Sequence, residues 1–513
     1  VRLYLISDLA GALAPCGCIA DQLGGLDHLA HWIVTEKPRT SASLLVAAGP
    51  LFFASDQPGA DRAGQDHQNA TTLANALGTL HLAAFAPGVN DWDEGEAGLV
   101  QLAKRSGATL VGGGAENGAP RPASTVVKDV GGLRVGIVGF GQGPAAAFDG
   151  GVDGAEAAVA SGVESVKSQG ANVIVALAAV GRDEARRIAE AVPELTAILV
   201  GSPRARVDAN TMTPQGERVG SVILAQAGNH LQSVGVLDLY VRGPVAPGHL
   251  IHFADATGLE RAQEREDVAR RIDDLHEAIS VARRRNRLSG PEGDALKREL
   301  DALEREKQKL DAKAPPDSGS FFRYALREVR DSMGSDPSIQ TEINGCQLEI
   351  SGQNRQALAR KVPSRPRPGH AGYVGVSVCA SCHKAAAAFW KKTLHAHGYE
   401  TLRIVGREVD LDCVSCHVTG YDAPGGSTLT HVDPLGGVQC EACHGPGSKH
   451  AAEPVDDTTL NEHPSGAQCL NCHRPPQVER NFDVDAGMAL IRGPGHGLRA
   501  ADRVDGGEGP LHP

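Results

Sequence analysis

Between residues 379 and 473 one pattern, Cys-x-x-Cys-His, occurs four times. The copies are Cys379, Cys382 and His383; Cys413, Cys416 and His417; Cys440, Cys443 and His444; and Cys469, Cys472 and His473. Two thiols at this spacing reach the two vinyl groups of one haem as thioethers, and the adjoining histidine is held beneath the iron as its proximal ligand. Cys-x-x-Cys pairs also build structural zinc sites and redox dithiols. Neither chemistry requires a histidine after every second cysteine, and here it is present each time. The reading is four covalently bound haem c. So short a stretch cannot build an ordinary core around four macrocycles, so the macrocycles are expected to be the core, with short helices at the motifs and loops elsewhere.

These motifs take eight of the eleven cysteines and leave Cys16, Cys18 and Cys346. Cys16 and Cys18 are too close together for an unstrained mutual disulfide; binding a metal, pairing with Cys346 and staying reduced remain open to them. Covalent haem attachment takes place outside the bacterial cytoplasm, so export to the periplasm or cell surface is expected, with a signal segment removed ahead of Val1. The formal net charge is -12, which disfavours nucleic acid and anionic membranes as partners. No run of eighteen apolar residues is present, so no transmembrane segment is expected.

The 513 residues exceed one core, and the chain reads as multidomain. Residues 1–255 alternate apolar runs with helical or glycine-rich stretches. Leu3 to Ile6, Leu44 to Ala48, Thr109 to Val111, Leu133 to Val138, Val173 to Leu177, Ala197 to Val200, Val222 to Ala225 and Val236 to Val241 read as strands, several buried on both faces. Gly25 to Val34 and Arg182 to Val192 read as helices. The pattern predicts an α/β domain with a layered-sheet core. Gly139-Phe140-Gly141-Gln142-Gly143 follows a strand but has the wrong glycine spacing for a nucleotide loop and reads as a tight turn.

The strand-end segments Ile6 to Gly11, Gly24 to Leu26, Ala48 to Pro50, Pro87 to Asp91, Leu177 to Gly181 and Val200 to Pro203 resemble the landmarks of the 5′-nucleotidase-like metallophosphoesterases. In that family such loops supply the ligands of a two-metal centre that activates water against a phosphate ester. Here Ala10, Pro50, Ala179, Ser202 and Arg204 stand where ligands belong. Asp8 is retained, and Asn90 and Asp91 are remnants. Too few ligands remain for two divalent ions, so the resemblance implies the fold without phosphoesterase activity.

Residues 256–340 are read as a helical hairpin arm and a short helix. Val268, Ile272, Leu275 and Ile279 form one apolar stripe, and Leu296, Leu300, Leu303 and Leu310 another, with Ser289-Gly290-Pro291 between them. Such an antiparallel, coiled-coil-like pair is a candidate for oligomerisation or docking in a larger complex. A helical pattern is expected from Phe321 to Met333. Residues 341–369 are read as a linker, and residues 370–513 as a tetrahaem cytochrome c domain with sparse secondary structure.

Within that last region Tyr373 to Gly375, Trp390 to Ala396, Cys413 to Gly420 and Val438 to His450 resemble the tetrahaem cytochrome c family typified by the electron carrier of bacterial hydroxylamine oxidation. The resemblance implies closely grouped haems, mostly with two histidine ligands, that transfer single electrons. It points to His395 and His450 as distal ligands. One methionine, Met488, is present against many histidines, so histidine on both faces is the default, and His496 follows on chemistry alone. His397 and His431 compete for the fourth position; without a histidine there, that iron is open to a small ligand.

The function expected is electron transfer between redox protein partners, with the phosphoesterase-like domain as a non-catalytic scaffold. The alternatives are a multihaem enzyme acting on a small nitrogen or sulfur species at one open haem, and a structural subunit of a conductive or respiratory assembly.

Overall fold

The computed structural model describes residues 1–15, 22–36, 42–55, 59–112, 125–141, 153–204, 216–257, parts of 268–282, 291–311, 318–454, 460–474, 482–494 and 496. Cys16, Cys18, Gln142, Gly143, Ser289 and Gly290 lie outside the described residues.

The N-terminal part is built on two sheets. The first has seven strands in the order β12-β13-β11-β1-β2-β3-β4. They are β1 Arg2–Ser7, β2 Ser43–Gly49, β3 Leu82–Pro87, β4 Thr109–Leu110, β11 Ser233–Tyr240, β12 Phe253–Asp255 and β13 Ser320–Glu328. The second has six, ordered β5-β6-β7-β8-β10-β9, with β5 Thr125–Val130, β6 Leu133–Phe140, β7 Val173–Ala179, β8 Ala197–Gly201, β9 Glu217–Val219 and β10 Val222–Ala225.

The two-residue period of a strand divides each central strand between two cores. Leu3 and Leu5 face inward with Val46, Val135, Val175 and Leu199 to form the layer between the sheets. Tyr4 and Ile6 face outward, onto helices α1 (Leu26–Glu36), α2 (Ala63–Thr79) and α3 (Gly95–Ser106). The outer face of the second sheet is covered by α4 (Asp153–Ser168) and α5 (Arg182–Ala191). Burial on both faces explains why these strands read as unbroken apolar runs. Parallel pairing of β1 with β2 and of β7 with β8 brings their carboxyl ends to one edge. There a Cβ on Gly49 would collide with Asp8, and one on Gly201 with Gly49.

Two expectations need correcting. Phe321 to Met333 is mainly strand: β13 pairs with β11 from Ser233↔Glu328 to Tyr240↔Phe321, and a short 3-10 turn comes after it at Asp331–Met333. Phe322 and Tyr324 point into the layer between the sheets, so the period is two rather than 3.6. The first sheet therefore continues past residue 255, and the hairpin arm is inserted between β12 and β13.

Much of the stretch read as a linker is helix α7, Pro337–Ala357, after helix α6, Pro291–Asp311. Asp336 caps α7, accepting from Ser338 N and Ile339 N, and Pro337 opens its first turn. Ile339, Ile343, Cys346 and Ile350 bury its inner stripe in the outer core of the first sheet. The Cys346 thiol is free and buried, 3.8 Å from Gln68 O.

In the arm, Val268 and Ile272 bury against Leu303, with Leu275 and Leu300 at the margin. The C-terminal part has short helices, including Val376–Cys382, Leu394–Ile404, Val414–His417, Cys440–His444 and Ser448–Ala452, joined by loops. Its apolar cluster is small: Leu358, Val409, Leu411, Val414, Val418, Leu429 and Val432. No helix among the described residues is long and apolar enough to cross a membrane.

Candidate functional site

The remnants of the phosphoesterase pattern meet at the carboxyl edge of the sheets, and backbone groups occupy them. Asp8 accepts from Ser202 N at 2.7 Å and Ser202 Oγ at 3.2 Å. Asp91 accepts from Leu51 N, Phe52 N and Gly88 N at 2.7–3.1 Å. Burial pushes the Asp91 carboxyl up to about 7, against the pull of those N–H groups. Nearby, the His230 amide donates to Asp8 O, and its Nδ1 is buried without a hydrogen-bond partner. Burial lowers the His230 imidazole to about 4. No group of three or more potential metal ligands gathers among the described residues.

The C-terminal part brings distant histidines together in pairs. His383 faces His450 with ring centroids 6.2 Å apart; His473 faces His395 at 6.0 Å; and His444 faces His496 at 6.0 Å. Metal–imidazole bonds are about 2 Å, and each ring nitrogen lies a little over 1 Å from its centroid. Two imidazoles on opposite sides of one metal ion therefore stand about 6 Å apart, and the three centroid separations match that spacing.

Hydrogen bonds at the other nitrogen orient the rings. His444 Nδ1 donates to Asn461 O at 2.7 Å and His417 Nδ1 to Gly398 O at 2.5 Å, which leaves each Nε2 for a metal. Burial lowers His395, assisted by His473, and also lowers His473, so both favour the neutral form that ligates. Phe482 stacks on His473 at 4.1 Å.

His417 has no facing histidine ring among the described residues. His397 turns Nε2 toward Lys391 O at 3.2 Å, and His431 places Nδ1 3.1 Å from Thr430 Oγ1. Neither is brought opposite a motif histidine.

The motifs also approach one another. Cys379 lies near Cys440, and Cys416 near Cys472. Cys443 lies in the field of Cys469, and Gln468 of the fourth motif's helix donates to Cys443 O at 3.4 Å.

The residues around the third motif explain why its flanks carry information beyond the two cysteines. Glu441 is buried and accepts from Val374 N, Gly375 N and Gly447 N at 2.7–3.1 Å. Gln439 accepts from Val376 N at 2.6 Å and donates to Pro434 O and Gly436 O. Together they fasten the start of the first motif's helix to the third motif. The sequence reading missed their role, and also that of Gln65 and Asn354, which join the two parts of the chain. A glutamate between the two cysteines of an attachment motif was the legible signal for the first of these.

Residues 378–445 match the profile of the family described as Cytochrome c554 and c-prime. Cytochrome c-554 of Nitrosomonas europaea is 43% identical over 93 residues, a match that covers 15% of this chain and 40% of that protein. The chain thus spans less than half the length of this relative. The C-terminal region is similar to multihaem c-type cytochromes, a kind of protein that binds haem c covalently.

Similar solved structures include a 5'-nucleotidase precursor from Thermus thermophilus, with TM-score 0.42 and 16% identity over 71% of this chain and 61% of that one. The calcineurin-like phosphoesterase YfkN from Bacillus subtilis gives 0.38 and 16%, over 48% and 86%. Scores this low carry no argument about chemistry. The N-terminal region has a layered α/β fold.

Proposed function

We propose that this chain is an exported electron-transfer cytochrome with four covalently bound haem c, joined to a phosphoesterase-like domain that has no catalytic role. The observation that carries this reading is the set of three histidine pairs at 6.0–6.2 Å, each joining a motif histidine to one outside the motifs. His383, His417, His444 and His473 are the proximal ligands, and His450, His496 and His395 the distal ligands of the first, third and fourth motifs. The eight motif cysteines hold the macrocycles.

When bound, haem c supplies a one-electron iron couple. Pairs of neutral histidines such as these would hold that iron and would give it a lower potential than a histidine–methionine pair. An order first, third, fourth, second along the path of the electron is supported by Glu441, which ties the first motif to the third, by Gln468, which ties the fourth to the third, and by Gly398, which ties His417 to the helix that carries His395. Redox proteins outside the cytoplasm are the partners.

For the N-terminal domain, the support is that Asp8 and Asp91 spend their oxygens on backbone and hydroxyl donors. A second reading, chemistry on a small nitrogen or sulfur species at one open haem, is favoured by the unpaired ring of His417 among the described residues.

Low-temperature electron paramagnetic resonance of the oxidised protein, with haem counted on the same sample, tests both. Four low-spin haems support a pure relay. Three low-spin haems and one high-spin haem that responds to cyanide or nitric oxide support the second reading, and fewer than four haems per chain overturns the count.

A further inference from the structure

The contact between the two parts of the chain has exposed bonds, from Ser351 to Gly406 O and from Arg355 to Glu408, and one buried glutamine. Gln65, on the first turn of α2, is 1% exposed. Its Nε2 donates to Asp410 Oδ1 at 2.7 Å and to Asp412 Oδ2 at 3.1 Å. Its Oε1 accepts from Leu411 N at 3.0 Å and from Asn354 Nδ2 at 2.8 Å. A carboxamide has two donors and two acceptor lone pairs, and all four are used here. Asn354, on α7, also donates to Val409 O at 2.9 Å. Arg62 adds a bond to Asp412 Oδ1 at 2.6 Å.

The target is specific. Residues 409–412 are the four that lead into Cys413. Asp410 passes the restraint onward: its Oδ1 accepts from Asp412 N at 2.9 Å, and its carbonyl accepts from Cys413 N at 3.1 Å and Val414 N at 2.9 Å, the start of the helix that ends at His417. A general adhesive between two surfaces would spread its bonds along the contact. This side chain spends its whole capacity on the entry to one attachment motif and its supporting helix. Motion of the N-terminal body relative to that entry is therefore transmitted to Cys413, Cys416 and His417.

We infer that Gln65 is a positioning residue for the second attachment motif, through which the N-terminal body sets the seat and axial geometry of the haem attached there. The inference rests on the haem reading of that motif. It assigns the phosphoesterase-like fold a task its lost chemistry does not: tuning one redox centre of the four.

The test uses the full-length, haem-loaded chain with Gln65→Leu, which is near in volume but has no hydrogen-bonding atoms. The control is Gln68→Ala, on the same helix, which removes an exposed bond to Glu349 of α7 and leaves 409–412 untouched. Haem per chain, electron paramagnetic resonance and a potentiometric titration are measured on each. The second haem is identified as the one whose potential His417→Met moves.

In Gln65→Leu that haem alone is expected to change its resonance and to shift its reduction equilibrium by about tenfold, which is about 59 mV for one electron. Gln68→Ala leaves all four as they were. Should Gln65→Leu lose haem, loss confined to the peptide bearing Cys413 and Cys416 supports the inference. Unchanged spectra, an equal shift of all four haems, or loss spread over every motif overturns it. Absence of haem from Cys413 and Cys416 in the unsubstituted protein would instead defeat the haem reading itself.

Discussion

The two parts of the molecule hold themselves together by different means. The N-terminal body has three large apolar clusters and strands buried on both faces, such as β7, in which every residue is buried. The C-terminal part buries one cluster of seven apolar residues and relies on buried polar groups, Glu441, Gln439 and Thr419, that tie loops by hydrogen bonds. The first is a chain that folds on its own side chains. The second is a chain whose side chains are arranged to hold something else.

The largest test of that contrast is to produce the full chain without haem maturation. Calorimetry is expected to retain the cooperative transition of the N-terminal body, and limited proteolysis to digest the region after about residue 370, because its small apolar cluster offsets little chain entropy. A single intact transition covering both parts would break the comparison.

Next comes Phe85→Ala. This ring lies fully buried on β3, edge-on to Phe52 at 5.6 Å, and its loss is expected to cost about 3–5 kcal/mol in denaturant unfolding with the haem spectrum unchanged.

Asp91→Asn is expected to cost about 2–3 kcal/mol, because its amide group would face backbone N–H donors. The pH dependence has a definite sign. The folded carboxyl, at about 7, lies above its ordinary value of 3.8, so the folded state binds the proton more tightly and stability falls as pH rises from about 4 to about 7. The asparagine lacks this slope, so its deficit shrinks across that window. His230, lowered from 6.5 to about 4, acts oppositely: its contribution is present above about 6.5 and is lost as pH falls toward 4. Unfolding of Asp91→Asn and His230→Gln from pH 4 to 7 should show slopes displaced from the parent in opposite directions.

His450→Met is expected to raise the potential of one haem while leaving the thermal transition of the N-terminal body in place; a titration in which all four potentials move would contradict the pairing of His450 with His383. The smallest effect belongs to the arm. Arg271 and Glu299 are both more than half exposed at 3.8 Å, and Arg271→Ala should change stability by under about 0.5 kcal/mol.

Several elements were legible because their signal is local. The strand runs were visible in their unbroken apolar residues, and α1 and α5 in their helical spacing. β13 was misread because a pattern of Phe321, Phe322, Tyr324 and Leu326 fits more than one period, and its slot between β11 and β12 belongs to residues far away in sequence. Helix α7 was hidden by glycines and polar residues, although Asp336 and Pro337 marked its start. Gln65 had no signal at all: a glutamine on an exposed-looking helical turn is ordinary until the loop at 409–412 closes over it.

The sequence by itself supplied the four repeats on which the haem reading rests, since two thiols and a histidine within five residues act through covalent spacing that no fold need supply. It also determined that the segments resembling phosphoesterase landmarks carry too few metal ligands, because a ligand that is not encoded cannot be folded into place. Which histidine meets which motif, and which part of the chain grips the entry to Cys413, were decided only by tertiary structure. His395 stands opposite His473, and Gln65 bonds Asp410, through closure of long loops. Such closure depends on the packing of the whole chain rather than on any stretch of it.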